Sequence, residues 1–217
     1  DYQDGSRQFE ALKHPVLSGD WQIQNAAAAI NVVLRLGYRL KPEYIDRAMA
    51  NIKLSGRLET ISHEPLVIAD VAHNAQSAAA LAQWLGLNPV KGQTRAVFSV
   101  LNDKQPETWL SLFDDVVDHW FVFELSGERA MPLNDLKRVL ADHVALFSCF
   151  TAAKQAYQMA TIMTDDGDRV IVFGSFHVLD EVLKGQDNDL SYDLSHDLNN
   201  GTKNNAANNI KKGVLDD

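Results

Sequence analysis

The stretch Pro65-Leu66-Val67-Ile68-Ala69-Asp70-Val71-Ala72-His73-Asn74-Ala75-Gln76-Ser77-Ala78 decides the fold class of this chain. It opens as an apolar, β-branched run, the pattern of a strand buried on both faces. At Asp70, His73 and Asn74 it turns polar, and an Ala-rich helical pattern follows. A buried parallel strand that ends this way delivers an acid, an imidazole and an amide to the crevice beyond the carboxyl ends of the sheet. Open α/β sheets bind their ligands there.

The strand-then-helix rhythm recurs downstream. Residues 95–100, 120–125, 145–150 and 169–176 read as strands; 75–86, 105–117, 132–144, 151–163 and 177–184 read as helices, with Thr151 as an N-cap. Five such units predict an α/β fold with a doubly wound, mostly parallel sheet. Upstream, Ile23, Ala27, Ile30 and Leu34 recur at helical spacing behind Trp21, with Gly37 as the stop. A shorter helix runs from Pro42 through Ile45 and Met49 to Ile52. Two helices in succession do not belong to a strand–helix repeat, so we read them as the end of a preceding domain. Residues 1–20 read as irregular or edge-strand sequence, and 54–61 as a turn and a short alternating strand. From residue 186 the composition shifts to Asn, Asp, Ser, Lys and Gly, too polar to offset the entropy of ordering. The expected domains are therefore residues 1–60, 61–186 and a disordered tail, 187–217. The chain opens at Asp1 in loop-like sequence, which we read as a piece of a longer protein.

With 217 residues and 46% hydrophobic content, the chain can bury one substantial core. A net charge of -9 argues against nucleic-acid binding, which needs clustered cations. It leaves room for an anionic small ligand held at helix N-termini by a few placed cations. Cys149, the single cysteine, lies in an apolar strand pattern and reads as a small buried hydrophobe. A reducing, cytoplasmic setting is expected. No apolar run approaches the roughly 20 residues of a membrane span. Neither a GxxxxGK[ST] nor a GxGxxG phosphate loop occurs, and the His residues lack metal-ligand spacing. Trp21, Trp84, Trp109 and Trp120 read as core anchors.

Taken singly, Asp70, His73 and Asn74 read as a helix cap, a surface His and a turn Asn. Together at one strand end they read as a ligand site. Arg57 follows Gly56 on the segment joining the two domains. A solvated Arg is the bland alternative; gripping a phosphate is the functional one. Asn25 reads as an N-terminal cap or as an amide facing a purine or phosphate. Asn102-Asp103-Lys104 and Gly174-Ser175-Phe176-His177 fall at strand ends on the same side as Asp70; a turn and a capping Ser are their plainer readings.

Five ordered segments resemble the folylpolyglutamate synthase/dihydrofolate synthase family of the Mur ligase superfamily. They are Trp21-Gln22-Ile23-Gln24-Asn25-Ala26-Ala27, Ser55-Gly56-Arg57-Leu58-Glu59, Asp70-Val71-Ala72-His73-Asn74, Leu101-Asn102-Asp103-Lys104 and Gly174-Ser175-Phe176-His177, spanning residues 18–185. The resemblance implies an N-terminal P-loop ATPase domain and a smaller, Rossmann-like C-terminal domain with ATP between them. This chain then carries the last two helices of the first and all of the second. By matching position, Asn25, Arg57 and Asp70 would contact ATP, and His73 would lie beside the phosphates as a catalytic group. Lys104, also catalytic, and Ser175 would lie towards the incoming L-glutamate. The implied reaction belongs to folate biosynthesis and one-carbon metabolism: ATP activates a dihydropteroate or folate carboxylate as an acyl phosphate, which the glutamate amine attacks. Its Mg²⁺ ligands are expected in the N-terminal domain and no metal ligand in this chain, so the chain alone is expected to be inactive. A monomer without nucleic-acid or membrane partners is expected.

Two positions depart from the family pattern. Ala75 stands where the family usually has Pro, and Gln105 where it has a second Asp after the Lys. Two other readings stand beside the leading one. A Mur-type amino-acid ligase of cell-wall synthesis would be expected to carry a Lys at the His73 position. A non-catalytic Rossmann-like binding module would lack a P-loop domain upstream.

Overall fold

β4 (Leu66–Ala69) is the short apolar strand expected, buried from Val67 onwards. It pairs in parallel with β8 (Arg169–Phe173), which pairs in parallel with β5 (Thr94–Phe98). β6 (His119–Phe123) and β7 (Phe147–Phe150) extend the sheet in the same direction, giving the order β3-β4-β8-β5-β6-β7. Every residue of β5, β6 and β8 is buried, and beyond the polar Thr94, Arg95, His119 and Arg169 at their amino ends each continues as an apolar run. The structure is a computed structural model and describes residues 1–5 and 7–187. Residues Asp1–Val182 make one compact unit; of the second, Leu183–Asp217, only the last residues of a helix are described. The expected tail lies outside the described residues apart from Asp187.

The sheet bears out the mostly parallel α/β class, with one antiparallel edge. β3 (Glu59–His63) runs back along β4 through a tight connection, with a register shift between Thr60 and Ser62. Helices α3 (Ala75–Leu87), α4 (Leu133–His143) and α5 (Ala153–Ile162) connect the strands, and α6 (Phe176–Asp187) follows β8. Because β8 inserts between β4 and β5, the loops after these three strands lie side by side at one end of the sheet.

Local sequence explains several helix ends. In α1 (Trp21–Arg35) the residue Gly37 takes φ +88, and its N–H bonds the Leu34 carbonyl, the C-terminal stop expected. α2 (Pro42–Asn51) starts on its proline. Ile30, Leu34, Ile45 and Met49 close a small core with Tyr2 of the hairpin β1–β2 (Tyr2–Asp4 and Arg7–Phe9), but Ile23 is 42% exposed and Gln22 takes the buried place instead.

Two local expectations fail. The helix expected over 105–117 is replaced by two single 3₁₀ turns, Pro106–Thr108 and Leu110–Phe113, after a third at Asn102–Lys104. Gln105 precedes a proline, which disfavours the right-handed α region, and it takes the left-handed conformation at φ +48. Trp109 then leaves helical geometry to bury its ring between Phe98 and Phe113, with Nε1 donating to the Lys104 carbonyl at 3.2 Å. Edge-to-face pairs such as Phe98–Trp109 and Phe98–Trp120 each add about 0.5–1.5 kcal/mol beyond area burial. Thr151 does not cap α5; Ala152 holds that position, and the Thr151 hydroxyl bonds the Gln155 side chain.

Candidate functional site

The end of β4 builds the site. Asp70 N–H bonds the Val172 carbonyl, carrying the β4–β8 ladder one residue beyond the strand. The chain then leaves the sheet, and Asn74, not Asp70, caps α3: its Oδ1 accepts from Ser77 N–H at 2.9 Å, while Ser77 Oγ accepts from the N–H groups of His73 and Asn74. Asp70 is buried, and its carboxylate accepts from Ala72 N–H at 2.8 Å and Leu58 N–H at 3.1 Å. Burial pushes its carboxyl above the usual carboxylate range, against the lowering effect of those two bonds and the charges of Arg57 and His73.

Arg57 is presented by an unusual turn. Gly56 takes φ +69 and Leu58 φ +49, so both neighbours are left-handed, a conformation that costs a non-glycine residue free energy. Contacts hold each of them. The Gly56 carbonyl accepts from Val71 N–H, the Gly56 N–H donates to Glu59, and Leu58 is buried with its N–H on Asp70. A Cβ at position 56 would lie 2.6 Å from a Val71 methyl and 2.7 Å from a Leu179 methyl, and the φ of +69 strains any residue but glycine. Among the described residues the guanidinium has no carboxylate within ion-pair distance.

A cleft of about 280 Å³ brings Arg57, Asp70 and His73 together with Asn25 and Trp21 from the start of α1 and Gln76 from α3. His73 Nδ1 lies 2.7 Å from the Val71 carbonyl. A carbonyl only accepts, so Nδ1 carries a proton, and the tautomer with its proton there presents Nε2 as an acceptor. Asn25 lies in the second turn of α1 and does not cap it; its amide donates to Gln22 Oε1 at 2.9 Å. The cleft can thus offer a guanidinium and amide groups beside a helix N-terminus to the oxygens of an anion, and an imidazole acceptor to a proton.

Lys104 and Ser175 do not line this cleft. Lys104 Nζ is 2.8 Å from Asp103, which also pairs with Arg129 at 3.2 Å. Arg129 escaped the sequence reading because it lies in another loop, brought close by the Leu101–Ala130 bridge. Ser175 is buried, and its Oγ accepts from Val178 N–H at 3.3 Å, the capping role for α6. Gly174, at φ +124, lets the β8 loop pass against β5, where a Cβ would stand 1.8 Å from the Ser99 carbonyl.

A wider, open groove of about 1360 Å³ lies at the opposite, amino ends of β4 and β8. The charged groups behind it are structural. Asp168 pairs with Arg95 and accepts from Gln93 and Asp165 N–H groups, and these bonds hold its carboxyl below the usual range despite burial. Arg169 bonds the Asn88 carbonyl and Thr94 beneath Trp84. Among the described residues no three His, Cys, Asp or Glu side chains converge to hold a metal, and no helix is long and apolar enough to cross a membrane.

The family profile described as "Mur ligase, glutamate ligase domain" matches residues 56–176, more than half of the chain. The chain belongs to that family. Within it, the chain is similar to the dihydrofolate synthase/folylpolyglutamate synthases. That of Escherichia coli is 31% identical over 160 residues, covering 74% of this chain and 37% of the relative. That of Buchnera aphidicola subsp. Schizaphis graminum is 28% identical over 169 residues, covering 78% and 40%. This Mur ligase chain therefore spans about 40% of the length of the curated relatives it matches. Among solved structures, E. coli FolC in complex with ADP superposes with a TM-score of 0.75 at 29% identity, over 88% of this chain and 44% of that one. The bifunctional Yersinia pestis synthase complexed with AMPPNP and a Mn ion gives 0.72 at 32%, over 85% and 43%.

Proposed function

We propose that this chain is the glutamate-ligase part of an ATP-dependent ligase that adds L-glutamate to dihydropteroate or folate, and that it needs an ATPase domain to act. The observation that carries the reading is the preorganised Arg57: pinned on both sides by backbone contacts, without an ion-pair partner among the described residues, and facing a cleft shared with Asn25 and His73. Relatives with the same domain were solved with ADP, AMPPNP and L-glutamate, which supports a nucleotide-facing role.

In this reading the substrate carboxylate attacks the terminal phosphorus of ATP, and ADP leaves. The glutamate amine then attacks the acyl carbon, and inorganic phosphate leaves. Phosphoryl transfer of this kind depends on positioning and charge stabilisation. Arg57 supplies charge and a planar pair of donors to phosphate oxygens, and Asn25 supplies an amide to the nucleotide. His73 lies beside the phosphates, where Nε2 can take up a proton leaving the amine. Asp70 acts chiefly by holding the turn that carries Arg57. Lys104 and Ser175 serve the incoming glutamate on the neighbouring loops, Lys104 by exchanging Asp103 for a glutamate carboxylate. Mg²⁺ would screen the phosphates when bound; its ligands belong to the ATPase domain in this proposal. So do residues 1–60, with residues 61–186 forming the ligase domain and the whole acting as a cytoplasmic monomer.

The test is ADP formation by the full-length ligase containing this chain, supplied with ATP, Mg²⁺, L-glutamate and dihydropteroate. ADP formation that requires all of them supports the reading; none overturns it.

A further inference from the structure

We infer that Phe176 is a positioning residue for Arg57, its ring holding the guanidinium ready for the phosphates of a nucleotide. The inference rests on the reading above, which makes Arg57 a phosphate contact. Phe176 opens α6 and is 58% exposed, a large aromatic side chain placed outside the core. The Arg57 Cζ lies over its ring, 5.6 Å from the centroid, within the range of cation–π attraction. Beyond this, among the described residues, the guanidinium makes only a long hydrogen bond, Nη1 to the Gly56 carbonyl at 3.4 Å.

The same face of α6 touches the turn twice. Leu179, one turn after Phe176, packs its Cδ2 over Gly56, 2.7 Å from where a Cβ would stand. Backbone and side chain of the Gly56–Arg57 turn are therefore both referenced to one helix, whose start is fixed by the Ser175 cap.

A ring suits this task better than a carboxylate. A carboxylate would occupy the same N–H donors that a phosphate needs. A ring covers the flat face of the guanidinium and leaves the donors at its edge free. An arginine side chain carries a large rotamer entropy. Restricting it before the ligand arrives shifts part of that cost from binding to folding.

The test is a double-mutant cycle in the full-length ligase, with F176L, F176Y, R57A and R57A/F176L. A cation–π contact at an exposed site corresponds to about a 2- to 5-fold loss. F176L is expected to lower kcat/KM for ATP by that factor, F176Y to restore it, and F176L to add nothing once Arg57 is alanine. In the 217-residue chain itself, NMR should show a ring-current shift on the Arg57 side chain that F176L removes and F176Y keeps. Equal behaviour of F176L and F176Y, or an undiminished F176L effect in the R57A background, overturns the inference and leaves Arg57 as a phosphate contact. Unchanged turnover in R57A overturns the phosphate reading, and this inference with it.

Discussion

The Asp70 carboxylate accepts the Leu58 N–H at 3.1 Å, tying the end of β4 to the turn that presents Arg57. A buried acid is expensive unless its oxygens are satisfied, and here both are, by backbone of the same chain. The bond also helps to hold Leu58 at φ +49. Asp70 is thus a brace in the fold as well as a wall of the cleft.

Asp70→Asn replaces one acceptor oxygen by an NH₂ that faces an N–H donor. An unsatisfied buried donor costs about 1–3 kcal/mol, so the chain should lose that much stability in urea. A full-length ligase carrying the change should also lose turnover, because the Arg57 turn loosens. An unchanged urea midpoint would contradict the brace.

Arg57→Ala should leave the folding of the chain nearly unchanged, since the side chain is half-exposed and makes no ion pair among the described residues. In the ligase it should depress kcat/KM for ATP about 10- to 100-fold, the loss of one charge-assisted contact worth about 1.5–3 kcal/mol. Arg57→Lys should recover little, because a point charge does not reproduce the planar fork. Steady-state kinetics with ATP varied decides it.

Gly174→Ala should prevent normal packing of the β8 loop. Its Cβ would overlap the Ser99 backbone carbonyl, and the φ of +124 is closed to alanine. Both sides of the clash are backbone, so relief requires moving a strand end. Thermal unfolding should show a clear fall in Tm; an unchanged Tm would refute the close approach.

His119 makes stability depend on pH. Burial, with the nearby Arg95 charge, lowers its pKa from 6.5 to about 4. The unfolded chain takes up a proton near pH 6.5, and the folded chain takes it up only near pH 4. The contribution is therefore complete above pH 6.5 and is lost as pH falls towards 4. His119→Gln, which can still bond Ser148, should flatten the urea midpoint across that window. Parallel pH profiles for the two proteins would refute this.

The chain by itself should bind ATP more weakly than micromolar, because in the proposed reading its cleft supplies only half of the nucleotide's contacts. Calorimetry showing micromolar affinity would refute the half-site.

The sequence alone determined the strand–helix alternation, the polar end of β4 and the glycine stop at Gly37, because each depends on residues within a few positions of one another. Tertiary structure decided the rest. Periodicity carries no direction, so nothing in residues 59–63 announces an antiparallel edge. Spacing cannot tell which of Asp70 and Asn74 will cap α3, since both side chains can; the buried Leu58 N–H claims Asp70 and leaves the cap to Asn74. The helical pattern of residues 105–117 gave way to 3₁₀ turns because burying Trp109 between two aromatic rings outweighs local propensity. The meeting of Arg57 with Phe176 exists only because β8 inserts beside β4, which sets the start of α6 against the Gly56 turn. Local chemistry names the residues of the site, and the order of the strands decides which of them can touch.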